Sequence, residues 1–339
     1  MVERKSIIWN INRSCIYDCA ICCTDAYHIS SKNNQINVRI DGLTKMLSFD
    51  RDKSINLFDD ANKHLQEKGL ELILEDKLRI LENIDIPVKI DFSGGDPLLL
   101  SENLHVLFKS SEKFGKENIS VTATGVGFSL VDSTFLAQTL GHIDFTYDHS
   151  VRSKTNYRPD SYNSNNLRVI KKLSKLGVGT TAQTPLSLDN IDSSIIEDIF
   201  YDLKDAHVEE IYLMKIFSVG RGSNIDLKQP TREQYLKAVE KFKELESKYC
   251  GPKIIVQSIL NETNSSGITH KEKYCISNSL NITNLGLLLL SPWAYDGFGN
   301  PKTPFIAGDL KNRKLSELYD ENSYTNLLER LIFEQYDKK

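Results

Sequence analysis

Cys15-Ile-Tyr-Asp-Cys19-Ala-Ile-Cys22 decides how this chain of 339 residues is read. Three thiols fall within eight residues, Cys23 follows directly, and only Cys250 and Cys275 stand elsewhere. A chain otherwise poor in cysteine has gathered its soft ligands in one loop, which points to a metal. The loop does not complete a tetrahedral zinc site, which takes four Cys or His ligands. His28 would be the fourth ligand in a zinc reading, and Cys23 is too near Cys22 to share an ion with it. The other reading is an iron–sulfur cluster held by three thiols, with one iron open to a substrate or cofactor.

Outward from the loop, strands and helices alternate. Ser6 to Asn12 (SIIWNIN) reads as a buried strand in front of the cysteines. Residues 31–69 read as polar and irregular, then helical at Phe58, Ala61 and Leu65, and Leu70 to Ile84 as an amphipathic helix. Further strands are expected at Pro87–Ser93, Asn118–Thr124, His142–Asp148, Val178–Thr184 and Glu210–Phe217. Helices are expected between them near 103–114, 131–140, 164–176 and 193–205, and a long one from Thr231 to Lys248. Six strand–helix units predict a parallel sheet wound in one direction, an α/β partial (βα)6 barrel of TIM type.

Beyond Cys250 the pattern changes to a small α+β C-terminal extension. Lys253–Ser258 is strand-like, 259–273 a polar loop, and Leu280–Thr283 with Gly286–Leu290 a hairpin about Asn284. A terminal helix is expected from Ser316 to Glu334. The predicted organisation is a barrel over 1–249, with a helical insert at 31–86, and a C-terminal region over 250–339. In such a barrel the site is built where the strands end. Those ends carry the cysteines, Gly94-Gly95-Asp96-Pro97, Thr124-Gly125, Thr146-Tyr147-Asp148, Thr184 and Gly220-Arg221-Gly222.

Composition excludes several classes. A net charge of −4 gives no reason to expect a nucleic-acid partner. No apolar run is long enough to span a bilayer, and the N-terminal residues are no signal peptide. Reduced cysteines and a cytoplasmic location are the expectation.

Two motifs, in this order and on these elements, resemble the radical S-adenosylmethionine (radical SAM) enzymes. Their Cys-x3-Cys-x2-Cys signature matches Cys15, Cys19 and Cys22, and their Gly-Gly-Glu-Pro motif matches Gly94-Gly95-Asp96-Pro97. The resemblance covers about residues 5–225. It implies one [4Fe–4S] cluster on the three cysteines and SAM chelating its open iron. It further implies reductive cleavage of SAM to a 5′-deoxyadenosyl radical that abstracts a substrate hydrogen, with electrons from an external donor such as flavodoxin or ferredoxin.

Other positions follow from the same resemblance. Gly94 and Gly95 would let backbone approach the methionine moiety, and Asp96, one methylene shorter than the usual Glu, would accept its ammonium hydrogens. Thr124, Thr146 and Asp148 stand at strand ends expected to touch SAM, and Arg158 near an arginine that pairs with its carboxylate. Gly220 lies where relatives pass backbone near adenine, and Ile21 replaces a usual aromatic, giving apolar contact without stacking.

The C-terminal region resembles a degenerate form of the SPASM/Twitch regions that bind auxiliary clusters. Cys275 leads to Gly286, but Ser291 stands where a second cysteine is usual, so no auxiliary cluster is expected. That favours a redox-neutral reaction, epimerisation of a small sugar-like or cyclitol substrate, with Cys275 as hydrogen donor and Cys23 second. Cys250, after the long helix, reads as a buried small apolar residue. A small-molecule substrate is preferred to a peptide, because Cys15 lies too near the first residue for a leader-binding domain before it. The alternatives are a peptide-modifying radical SAM enzyme of natural-product maturation and, in another class, a non-catalytic iron–sulfur or zinc-binding regulatory protein.

Overall fold

The computed structural model describes residues 4–30, 32–40, 43–153, 157–216, 219–224, 229–257 and 279–320. Cys275, the 259–273 loop and the expected terminal helix beyond residue 320 lie outside the described residues.

The six expected parallel strands stand side by side in chain order. They are β1 (Lys5–Asn12), β6 (Val88–Gly94), β7 (Ile119–Thr122), β8 (His142–Thr146), β9 (Gly179–Leu186) and β10 (Glu210–Lys215). The sheet continues at both ends. On one side β11 (Lys253–Val256) pairs in parallel with β10. On the other, β12 (Ser279–Ile282) pairs in parallel with β1, followed by antiparallel β13 (Leu287–Leu289) and β14 (Ile306–Asp309).

Alternation along these strands sorts the side chains onto two faces. Ile7 and Trp9, Ile90 and Phe92, Ile143 and Phe145 point one way and join the main apolar core. The helices supply the other half of that core through Ile80 of α2 (Leu74–Asn83), Leu107 of α3 (Ser101–Phe114), Ile170 of α6 (Tyr162–Leu173), Leu203 of α7 (Ser193–Asp205) and Phe242 of α8 (Arg232–Lys248). A capping box at α8 holds its first turn, Gln234 N donating to Thr231 Oγ1 and Thr231 N to Gln234 Oε1.

The opposite face is polar. Asn10, Asp91, Thr122, Gln183, Tyr212 and Asn281 line one cavity although they come from six strands, among them β1 and β10 at opposite ends of the six-strand run. The sheet therefore curls around that space as a partial barrel. An ordinary TIM barrel fills its interior with branched apolar side chains; this one keeps a bore lined by amides, hydroxyls and carboxylates.

Four expectations are corrected. Residues 27–48 form a meander rather than an irregular and helical insert: β3 (Tyr27–Ser30), β4 (Gln35–Ile40) and β5 (Leu43–Ser48) pair antiparallel, β3 lying beside β2 (Ser14–Cys15). Ile29, Ile36 and Val38 bury one face of it against Ala61 and Leu65 of α1 (Leu57–Glu67), which overrides the polar composition of the segment. The helix expected from Leu70 begins only at Leu74, and a helix not expected, α4 (Gly125–Leu130) capped by Thr124, precedes the one expected near 131–140, which forms as α5 (Ser133–Thr139) capped by Asp132. Cys250 is exposed, because α8 ends at Lys248 and the chain turns outward before β11. The hairpin over 280–290 forms as read, with Gly286 at φ +87° in its turn. A short α9 (Leu315–Leu318) ends the described chain.

Candidate active site

The cysteine loop leaves the barrel at β2 and returns through β3, whose register sets Cys15 opposite His28. Cys15 and Cys19 are buried, Cys22 is half-buried and Cys23 is exposed. Backbone donors face the sulfurs: Tyr17 N donates to Cys15 Sγ at 3.4 Å and Ala26 N to Cys22 Sγ at 3.3 Å. Burial pushes the Cys15 and Cys19 thiols up. Burial acts the same way on Cys22, but the Arg221 guanidinium and the Ala26 N–H outweigh it and leave that thiol below its usual range.

Gly94 and Gly95 meet this loop from the end of β6. Gly95 N donates to Asn12 O and Asp96 N to Ser14 O, both at 2.8 Å, while Thr24 Oγ1 donates to Gly94 O at 2.9 Å. A Cβ on Gly94, at φ +121°, would lie 2.2 Å from Asn12 O, and one on Gly95 2.2 Å from Ser14 O. The glycines are thus demanded by the close passage of β6 and the first strand's exit. Both also face the cavity.

A cavity of about 190 Å³ opens beside the loop, walled by Ile21, Cys22, Gly94, Gly95, Thr146 and Arg158. Cys23, Gln183, Met214 and Trp293 belong to its wall and also to that of a deeper chamber of about 280 Å³, so the two adjoin. Arg158 is held by Asp148, its Nε donating to Oδ2 at 2.8 Å, and lies 4.8 Å over the Tyr162 ring. Burial would raise the Asp148 carboxyl, but Arg158 reverses this and holds it well below the usual carboxylate range.

Four of the expected cofactor residues stand back from the wall, Asp148 behind Arg158 and three others. Asp96 is fully buried, accepting from Leu98 N at 3.1 Å and from the Thr124 hydroxyl at 2.5 Å. Thr124 is occupied as the cap of α4. Gly220, at φ +55°, packs on the cysteine loop, where a Cβ would lie 2.4 Å from Cys23 O. Sequence reasoning did not single out Thr24, Gln183, Met214, Trp293 or Arg221. Nor did it find the triad in which Asn10 Nδ2 donates to Tyr295 Oη at 3.2 Å and Tyr295 Oη to Asn281 Oδ1 at 2.5 Å. The usable signal was the polar residue at every second strand position.

The donor set suits an anionic, sulfur-ligated group. Among the described residues no three His, Cys, Asp or Glu side chains stand close enough to share one ion. The buried Arg221 Nη2 also has no hydrogen-bond partner among the described residues.

No protein-family model matches the chain, and no curated protein matches it in sequence. Among solved structures, Streptococcus suis SuiB bound to S-adenosylmethionine superposes with a TM-score of 0.62 at 13% identity, over 96% of this chain and 68% of SuiB. SuiB bound to the precursor peptide SuiA gives 0.60 at 13%, over 96% of this chain and 66% of SuiB. This chain shares the fold of SuiB. It spans about two thirds of the length of SuiB. Within that fold the cysteine loop, the Gly-Gly turn and Arg158 share one cavity, at the end of the barrel where the strands finish. Among the described residues no helix is long and apolar enough to cross a membrane.

Proposed function

We infer that this chain is a radical SAM enzyme. The observation that carries the reading is the Cys15–Cys22 loop, with backbone N–H donors to Cys15 and Cys22 Sγ, beside a cavity walled by Cys22, Gly94, Gly95 and Arg158. Cys15, Cys19 and Cys22 would hold a [4Fe–4S] cluster, which would supply the electron for reductive cleavage of SAM. The Tyr17 and Ala26 N–H groups stabilise the ligating sulfurs, and burial of Cys15 and Cys19 keeps water from them. Arg158, pre-set by Asp148, offers its guanidinium to the methionine carboxylate. Ile21 and Thr146 give the remaining wall an apolar patch and a hydroxyl.

The deeper polar chamber receives the substrate group that loses the hydrogen. A peptide bearing that group is the second reading, supported by the likeness to SuiB, one structure of which holds the precursor peptide SuiA. The narrower expectation of epimerisation rests on Cys275, outside the described residues, and gains no support here.

Anaerobic reconstitution with iron and sulfide, then SAM and dithionite, tests the enzyme reading. About four irons per chain and release of 5′-deoxyadenosine are expected; iron uptake without any 5′-deoxyadenosine, or no uptake, overturns it.

A further inference from the structure

Arg221 comes from the turn after β10, about two hundred positions from the cysteines, yet its polar contacts gather on their loop. Its Nε donates to Cys19 O at 2.8 Å and its Nη1 to Ala26 O at 2.9 Å. The same Nη1 stands 3.3 Å from Asp25 Oδ1 and 3.2 Å from Asp18 Oδ1. The Arg221 backbone N donates to Cys22 O at 3.0 Å. The loop is thus gripped at Cys19, Cys22 and Ala26 by one residue, and Gly220 beside it permits the close approach.

Arg13, Arg39 and Arg221 converge on Asp25, which sits at φ +49°; Asp18 adds a second carboxylate beside Arg39 and Arg221, and the buried Glu71 a third beside Arg13. The positive charge that lies against Cys22 is that of Arg221 itself. The side chain of Arg221 is 8% exposed, and its Nη2 is buried without a partner among the described residues. A buried guanidinium N–H left unmade is costly, and an anion beside it removes the cost.

We propose that Arg221 is the positioning residue of the cysteine loop, fixing its backbone through the guanidinium fork and holding positive charge against the cluster bound there. The second half of this rests on the radical SAM reading; the first half does not. A cation next to a cluster favours its more negative, reduced form, so Arg221 raises the reduction potential. Lysine keeps the charge but not the planar fork, which separates the two roles.

Two measurements test it. In the cluster-free chain, kept reduced, alkylation of each cysteine by iodoacetamide is followed by mass spectrometry. Arg221→Met and Arg221→Lys are both expected to label Cys19 at least roughly tenfold faster than the native chain, since both lose the fork. In the reconstituted chain, an EPR-monitored redox titration is expected to show a lower midpoint for Arg221→Met, a tenfold loss of preference for the reduced state corresponding to about 59 mV. Arg221→Lys is expected to stay near the native midpoint, and it carries the test should Arg221→Met fail to fold by circular dichroism. Native labelling rates in Arg221→Lys overturn the clamp, and a native midpoint in Arg221→Met overturns the electrostatic role. A native chain that takes up no iron sinks the radical SAM reading while the labelling result still decides the clamp.

Discussion

The Thr124 hydroxyl donates to Asp96 Oδ2 at 2.5 Å, and this bond turns the acidic group of the Gly-Gly-Asp-Pro turn away from the cavity. Gly127 backs the same carboxylate so closely that a Cβ there would lie 2.2 Å from Asp96 Oδ1. The shorter acid is therefore the one that fits. Asp96→Glu is expected to cost about 1–3 kcal/mol by overpacking. Thr124→Val is expected to cost a similar 1–3 kcal/mol, roughly, by stranding a buried acceptor. Urea unfolding reads both, and unchanged midpoints would contradict this packing.

Arg158 and Asp148 should be separable in function although they are coupled in stability. Arg158→Gln leaves the buried Asp148 with Asn163 Nδ2 at 3.2 Å and His149 Nδ1 at 3.7 Å but without its guanidinium, a loss of about 1–3 kcal/mol. It is also expected to weaken SAM binding at least roughly tenfold, since one charge-assisted pair is lost. Adding Asp148→Asn should restore much of the thermal stability but none of the affinity. Recovery of calorimetric SAM affinity in the double variant would show that Arg158 acts only on the fold.

Glu71 gives the fold a pH dependence of known sign. Burial pushes its carboxyl up to about 7 from 4.5, against the pull of Lys77 and the Arg13 N–H that donates to it at 2.6 Å. The folded chain therefore keeps a proton that the unfolded chain has lost. Stability from this group is complete below pH 4.5, falls as pH rises from there to about 7, and stays lowered above. The drop is on the order of 3 kcal/mol. Glu71→Gln should remove that slope and stabilise the chain at pH 8; equal slopes in denaturant titrations at several pH values would refute the assignment.

Cys23 lines both chambers and is exposed beside Cys22. Cys23→Ala is expected to retain the native iron and sulfide content, whereas Cys15→Ala, Cys19→Ala and Cys22→Ala each lose the cluster. Loss of iron in Cys23→Ala would change the ligand set.

The barrel strands were legible because alternation and strand-end turns are local signals, and the long helix expected from Thr231 to Lys248 forms as α8. The meander at 27–48 was not, because β5 is an edge strand with Leu43 and Met46 exposed, so its pattern carries no buried face. At the site, the cysteines stood out by their spacing, whereas Gly94, Gly95 and Arg158 entered only through the resemblance to the radical SAM enzymes. The direction of the Asp96 carboxylate was not, since Thr124 decides it from another strand end. The grip of Arg221 on the cysteine loop is likewise a tertiary fact. Local sequence shows a Gly-Arg-Gly turn and nothing of what it holds.

The place of β1 has a consequence for the order of events during synthesis. It lies between β6 and β12, and the bond from Asn281 Nδ2 to Ile8 O joins positions 273 residues apart. Chains are made from the N-terminus onward, and contacts so distant in sequence form late. The strand that feeds the cysteine loop thus waits for its second neighbour until β12 has been translated. Metal delivered earlier would meet thiols on an unfinished, exposed edge, so maturation of this protein is expected to follow the synthesis of β12.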